Sequence, residues 1–303
     1  MQKFVCVVIV TFNPEIEVLR KQYNSVKNQV DHVIYVDNGS KDIEVLKNFF
    51  LGEIGNGDTK VTVIYNTNNK GLGFAQNQGI KAAKKNQATH ILLLDHDSVL
   101  DSSFLDNLMM TEKELLEKKI NVAAVGPIYF NEKTNEIYPI TKFVGPFIKR
   151  ITPKNMFLPV EASFIIASGS LIRTSVIDVL GMMNEELFVD YIDVEWSFRA
   201  KKKGFGVYVS PKARMNHQIG DNRVSIFGRM ISVHSPVRRY YLTRNSIYML
   251  RCPYVTWGYK LRELTFNIFR IFIFAIISTD RLTYLKLSFK GLRDGIKGKF
   301  GSI

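Results

Sequence analysis

Cysteine is nearly missing from this chain: Cys6 and Cys252 are the only two in 303 residues. Two thiols so far apart fit neither a metal-ligand spacing nor a disulfide framework, which points to a reducing, cytoplasmic setting. Long apolar runs are missing as well. No stretch reaches 18 uninterrupted apolar residues, so the sequence offers no transmembrane helix. The first ten residues carry one Lys and read as a strand, not as a signal peptide. Several cofactor and catalytic signatures are also absent. Gly71-x-Gly73 has Gln76 where a dinucleotide fingerprint needs its third glycine. No phosphate-binding P-loop, Gly-x-Ser-x-Gly elbow or His-Glu-x-x-His pair occurs, and there is no internal repeat or low-complexity tract. Acidic residues are scarce at one end only. Residues 238–303 hold thirteen Lys and Arg against three acids, so +10 of the net +13 belongs to this last segment. Such asymmetry suggests an anionic membrane or nucleic acid as partner.

What is present is a repeated unit. Phe4–Val10, Val33–Val36, Val61–Tyr65 and Ile91–Leu94 are short apolar runs. Each ends in turn chemistry: Thr11-Phe-Asn-Pro14, Asp37-Asn-Gly-Ser40, the Asn- and Gly-rich stretch 66–73, and Asp95-His-Asp-Ser98. Pro14 with Glu15 and Glu17 suits a helix start, and Phe74–Lys85 has helical character. This β-α-β-α order predicts an α/β protein with an open, mainly parallel sheet flanked by helices. Ligands of such sheets bind beyond the carboxyl ends of the strands, so the loops around Asn13, Asp37, Lys70 and Asp97 are expected on one edge. Lys142–Pro159 holds three prolines and reads as a long loop near the site.

Asp95 and Asp97 follow a fully apolar strand at i, i+2 spacing. Paired hard oxygen donors at a strand end suit Mg2+ or Mn2+ on a diphosphate, though an Asp-capped turn has the same pattern. Asp37 likewise either contacts a nucleotide or closes an Asx turn before Gly39.

Taken together, Val10-Thr-Phe-Asn-Pro14, Val36-Asp-Asn-Gly-Ser40, Asn69-Lys-Gly-Leu-Gly-Phe-Ala75 and Leu94-Asp-His-Asp97 resemble glycosyltransferase family 2. Ala167-Ser-Gly-Ser170 and Phe188-Val-Asp-Tyr-Ile-Asp-Val-Glu-Trp196 resemble its acceptor-side motifs, and the set is most similar to the bacterial rhamnosyltransferase branch. The resemblance spans roughly residues 3 to 250. It implies a GT-A fold, dTDP-L-rhamnose as donor, Mg2+ or Mn2+, and inversion at the anomeric carbon; membrane contact through the basic C-terminal segment would suit a saccharide acceptor carried on a lipid. It further implies nucleotide contacts at Thr11, Phe12, Asn13, Asp37, Lys70, Gly71, Asp95 and His96, and metal ligands at Asp97 and His217. By the same likeness Asp193 is the base, with Gly169, Trp196, Arg239 and Arg244 on the acceptor or diphosphate side. Asp193 and Trp196 share a helical face if a helix starts near Asp190. For Arg239 and Arg244, an alternative is an ion pair holding the basic segment to the core. One departure is that a Glu-Asp pair common among relatives is here Ile192-Asp193. The Gln-x-x-Arg-Trp signature of processive synthases is absent, which favours transfer of one or a few sugars. Competing readings are a UDP-galactose, UDP-galactofuranose or UDP-N-acetylglucosamine donor, or a nucleic-acid-binding protein. The last explains none of the four strand-end loops and lacks a recognised motif.

Residues 1–237 are thus expected to form the catalytic domain, and 238–303 a helical, basic segment that associates with the cytoplasmic face of the membrane. Leu285, Phe289, Leu292 and Ile296 follow a 4-3-4 spacing, and Lys286, Lys290, Arg293 and Lys297 repeat it one residue later. This predicts adjoining apolar and basic rows on a helix lying in a lipid interface. Gly291 and Gly295 are expected to weaken it. The apolar run Ile271–Ile277 upstream suits a buried or membrane-dipping helix.

Overall fold

The four apolar runs form the parallel half of a central sheet: β1 (Val5–Thr11), β2 (His32–Asp37), β3 (Val61–Tyr65) and β4 (His90–Asp95). Between them lie helices α1 (Ile16–Val26), α2 (Ile43–Phe49) and α3 (Leu72–Lys85), and α4 (Phe104–Glu117) follows β4. The computed structural model describes residues 3–54, 60–131, 134, 136–216, 222–226, 229–233, 235–277 and 280–303. The second half comprises β5 (Val122–Asn131), β6 (Glu136–Ile137), β7 (Ile140–Val144), β8 (Phe147–Ile151), β9 (Val160–Ala162) and β10 (Ser170–Arg173). After these come α5 (Thr174–Leu180), α6 (Ile192–Lys202), β11 (Gly206–Asn216), β12 (Asn222–Ile226) and β13 (Arg229–Val233). Three helices complete the chain: α7 (Pro236–Arg251), α8 (Trp257–Ile277) and α9 (Arg281–Lys297).

Among the described residues the main sheet runs β3-β2-β1-β4-β10-β5-β11-β9, with β6 beside β5. Its first four strands and the β5–β11 pair are parallel, while β10 and β9 run against their neighbours. Alternation along β1 explains why that strand had to be apolar throughout. Cys6, Val8 and Val10 join a core shared with α3, α5 and α6. Val5, Val7 and Ile9 join another shared with α1, α2 and α4. A strand buried on both faces carries no polar alternation. The expected mainly parallel α/β sheet is therefore the observed one, with a backbone boundary shift of one residue at most strands.

The 142–159 segment differs from expectation. It contains the hairpin β7–β8 rather than a continuous irregular loop. Its prolines lie in the turn or beyond the strands: Pro146 beside Gly145, which has φ +59°, and Pro153 and Pro159 after β8.

The predicted rows of α9 are not the face it packs inward. The helix exists, but its buried face is Tyr284, Ser288, Gly291 and Gly295, packed on α7. Phe289 and Ile296 stay exposed, at 55% and 59%. The glycines are what allow this. A Cβ on Gly291 would stand 2.5 Å from the Tyr240 carbonyl oxygen, and one on Gly295 would stand 2.8 Å from Ile247 Cβ. Close backbone approach decides the inward face. Gly291→Ala should gain about 1 kcal/mol of helix propensity but collide with backbone that no rotamer can move, at an overpacking cost of about 1–3 kcal/mol. We expect a net loss, read as a lower urea midpoint; an unchanged or higher midpoint would show that α7 and α9 are not so closely apposed.

Candidate active site

Four strand ends and one strained loop meet at the carboxyl edge of the sheet. Thr11 and Asp37 close β1 and β2 in register. Both are fully buried, and the Thr11 hydroxyl donates to Asp37 Oδ1 at 3.0 Å. The other Asp37 oxygen accepts from the Gly39 and Ser40 amides at 3.2 and 3.0 Å. The Asp37 carboxylate is thus spent on an Asx turn. Phe12 and Asn13 project beyond it, exposed. Asn13, at φ +48°, is fastened by its amide to Ser40 Oγ and by its side-chain oxygen to the Lys41 amide.

The third loop is tied by amides that sequence reading overlooked. Asn38 donates to Asn69 Oδ1 and to the Gly71 carbonyl, and its own oxygen accepts from the Lys70 amide. Exposed Lys70 swings its ammonium over Phe74, 5.0 Å from the ring centroid. Gly71 sits at φ +93°, where a Cβ would lie 2.8 Å from the Phe188 carbonyl oxygen. That contact brings the Gly71 loop against the segment preceding α6.

At the β4 end, Asp95 and His96 are half-buried and Asp97 is exposed. The Asp95 amide donates to Ser168 Oγ at 2.9 Å. Burial, then the adjacent charge of Asp97, pushes the Asp95 carboxyl up to about 6. Gly169, at φ +85°, hydrogen-bonds through its amide to the Leu93 carbonyl and leaves no room beside Pro127 and Met215. Its role in this structure is to seat β10 against β4, beneath the site.

Asp193 enters the same cleft from the first turn of α6. It is half-buried, its Oδ1 accepts from the Val194 amide at 2.9 Å, and burial raises its carboxyl to about 6. Asp190 and Asp95 both bear on it electrostatically. Three residues just before it, Phe188, Asp190 and Tyr191, have φ of +62°, +61° and +65°. Left-handed backbone at non-glycine residues persists only where surroundings hold it. Here Asn245 of α7 donates to the Leu187, Val189 and Asp190 carbonyls, and Phe188 stacks on Tyr241. The Tyr191 hydroxyl donates to Glu263 of α8 at 2.7 Å. Helix α6 therefore begins at Ile192, two residues later than expected.

Three arginines sort differently from the sequence expectation. Arg244 is fully buried. Its guanidinium donates to the carbonyls of Gly301, Glu186 and Leu187 and lies 4.9 Å from the Tyr241 ring centroid. It clasps Gly301 to the loop that precedes α6, and its guanidinium is enclosed there. Arg239 is also buried, at 3% exposure, and burial lowers its tendency to hold a proton. Arg238, one residue earlier, faces the cleft instead. It grips both Asp190 oxygens, at 2.9–3.3 Å, and its charge reaches Asp95. Only the rotation of α7 distinguishes these neighbours. Trp196, expected on the acceptor side, is a core side chain whose indole donates to the Gly181 carbonyl. It supports α6 beneath Asp193. His217 lies outside the described residues. Among the described residues, no three His, Cys, Asp or Glu side chains form a cluster that could hold a metal.

Comparison with known proteins gives the arrangement a context. Residues 6–181 match the family model described as Glycosyl transferase family 2. The chain is 32% identical over 302 residues to the dTDP-rhamnosyl transferase RfbF of Shigella flexneri, covering 99% of this chain and 98% of that one. Among solved structures it resembles GalNAc-T7 with UDP, GalNAc and Mn2+, at a TM-score of 0.62 and 17% identity, covering 97% of this chain but only 56% of that one. It also resembles residues 1–349 of S. aureus TarS in complex with UDP-GlcNAc, at 0.57 and 15%, covering 97% and 81%. Those two likenesses are of fold.

Proposed function

The chain belongs to glycosyl transferase family 2 and has a GT-A-like fold, and from that premise we propose that it transfers L-rhamnose, with inversion, from dTDP-L-rhamnose to a saccharide on a lipid carrier, as a step in bacterial surface polysaccharide synthesis. The observation that carries the donor assignment is the full-length similarity to a dTDP-rhamnosyl transferase.

The chemistry follows from the cleft. The acceptor hydroxyl must lose its proton as it attacks, and we assign Asp193 to take it. A base works best with a pKa near the operating pH, and burial moves Asp193 that way. The departing diphosphate gathers negative charge, which needs a cation. Arg238 supplies one from the protein. The Asp95 and Asp97 oxygens fit a second: two carboxylates close enough for one to raise the other's pKa are a hard, anionic donor pair of the kind Mg2+ and Mn2+ prefer. Bound there, such an ion would offset charge building on the leaving phosphates. We assign His217 to the same ion from the family pattern.

Thermal shift across nucleotide sugars tests the donor. With dTDP-L-rhamnose at 100 times its dissociation constant, stability should rise by about 2.7 kcal/mol. Radiolabelled transfer should rank it above UDP-hexoses; preference for a UDP-sugar would overturn the assignment. Isothermal titration of dTDP tests the metal site. Mn2+ should tighten binding to the wild type but not to Asp97→Ala. The same metal dependence in the variant would remove Asp97 from the site.

A further inference from the structure

We propose that the outward face of α8, extended by the β7–β8 turn, is a docking surface for an anionic lipid bilayer. This rests on the reading that the acceptor is lipid-linked, and it names the surface that would bring the enzyme to it.

Helix α8 is apolar on two sides but buried on one. Tyr259, Asn267 and Ile271 face inward with Glu263. Leu261, Leu264, Ile268, Phe272 and Ile276 recur at 3-4-4-4 spacing, one helical face, and are 46–70% exposed. The surface does not end with the helix. The Gly145 backbone abuts Gly258 so closely that a Cβ there would meet its carbonyl carbon at 2.3 Å. This seats the hairpin turn at the start of α8, with Phe147 and Trp257 on either side, 74% and 77% exposed. Two elements more than a hundred residues apart thus build one apolar surface. Contiguous exposed patches of this kind mark interaction sites.

Charge selects the occupant. Of the three acids in residues 238–303, Glu263 and Asp294 are buried and paired, the first with Arg262 and Arg270, the second with Tyr240 and Arg293. Lys149, Arg150, Lys286, Arg293 and Lys297 are exposed. The helical layer therefore shows solvent apolar and basic groups, with Asp280 the acid left outside. Anionic headgroups complement that surface; a second copy would set like charge against like. No helix among the described residues is long and apolar enough to cross a membrane, so α8 would lie in the interface plane. Its inner face holds Tyr191 through Glu263, two residues from Asp193. Docking through α8 would bring the catalytic loop to the lipid surface.

The full chain should be sedimented at low salt with vesicles of phosphatidylcholine alone and of phosphatidylcholine with phosphatidylglycerol, beside the Leu264→Ser/Ile268→Ser/Phe272→Ser variant. Wild type should pellet with the anionic vesicles only. The variant, altered at exposed positions, should keep its dTDP affinity and bind those vesicles on the order of 100-fold more weakly. Wild type left in the supernatant, or a variant that pellets equally well, overturns the proposal. So does a dimer that the variant abolishes without any vesicle binding. Parallel dTDP titration separates the two readings: vesicle binding without nucleotide binding undermines the transferase assignment, and the reverse undermines the docking surface alone.

Discussion

Asp193→Asn is expected to lower transfer by about 10²–10⁴-fold, the usual contribution of a positioned general base, while dTDP-L-rhamnose binds nearly as it does to the wild type. The carboxylate lies on α6, across the cleft from the Asp95–Asp97 turn. Its titration adds a second signature. Burial holds the carboxyl at about 6 in the folded protein against an ordinary 3.8. The protonated acid cannot accept the acceptor's proton, so kcat/KM in the wild type should fall as pH drops through about 6. The sign for stability is opposite. A folded pKa above the unfolded one means folding favours the protonated form. The stability this gives is present at low pH and lost as pH rises through about 6, at a cost on the order of 1–3 kcal/mol. Asn carries no charge to desolvate, so Asp193→Asn should be inactive yet melt no lower than wild type at pH 7. A variant within a few-fold of wild-type activity removes Asp193 from the role. A variant that loses activity and stability together makes it a structural residue instead.

Glu263→Gln should have the largest effect on stability. Glu263 is 2% exposed and holds Arg262 at 2.8 Å, Arg270 at 3.3 Å and the Tyr191 hydroxyl at 2.7 Å. Removing one partner of a buried pair typically costs 3–5 kcal/mol. The two arginines are partly reached by water, so about 3 kcal/mol is the reasonable end of that range. The catalytic loop should feel it too. Tyr191 occupies left-handed backbone, which costs of order 1–3 kcal/mol unless its surroundings hold it. Loosening it should reduce kcat more than it raises KM for the donor. Tyr191→Phe, which keeps the ion pairs, should show the same kcat effect with a smaller loss in urea midpoint. If Glu263→Gln leaves midpoint and kcat unchanged, α8 does not brace the loop.

These residues show where sequence reasoning stops. The four parallel strands were legible because burial on both faces demands continuous apolar runs, and polar turns must close them. Their loops were legible for the same reason, and so was their convergence on one edge. Asp95 and Asp97 stood out as carboxylates at a strand end, whereas Asp193 was singled out by the family motif around it. The hairpin at 140–151 was not legible: its strands alternate weakly, and its prolines drew attention to a loop. Asp37 matched two patterns; the approach of Thr11, Gly39 and Ser40 shows that it closes the turn.

The helical end divides the same way. Periodicity in residues 281–297 dictated a helix with an apolar row, but not which row faces inward. That choice went to the small residues, because only without a Cβ at Gly291 and Gly295 can α9 approach α7 this closely. The same packing sets the rotation of α7, and with it which arginine meets the cleft. Composition alone put +10 in the last 66 residues; the tertiary structure assigned Arg244 to the loop carbonyls and Arg238 to Asp190. Chain-local physics, strand burial and turn chemistry, is written in neighbouring residues. The facing of a helix depends on a partner surface distant in sequence, so only the assembled fold decides it.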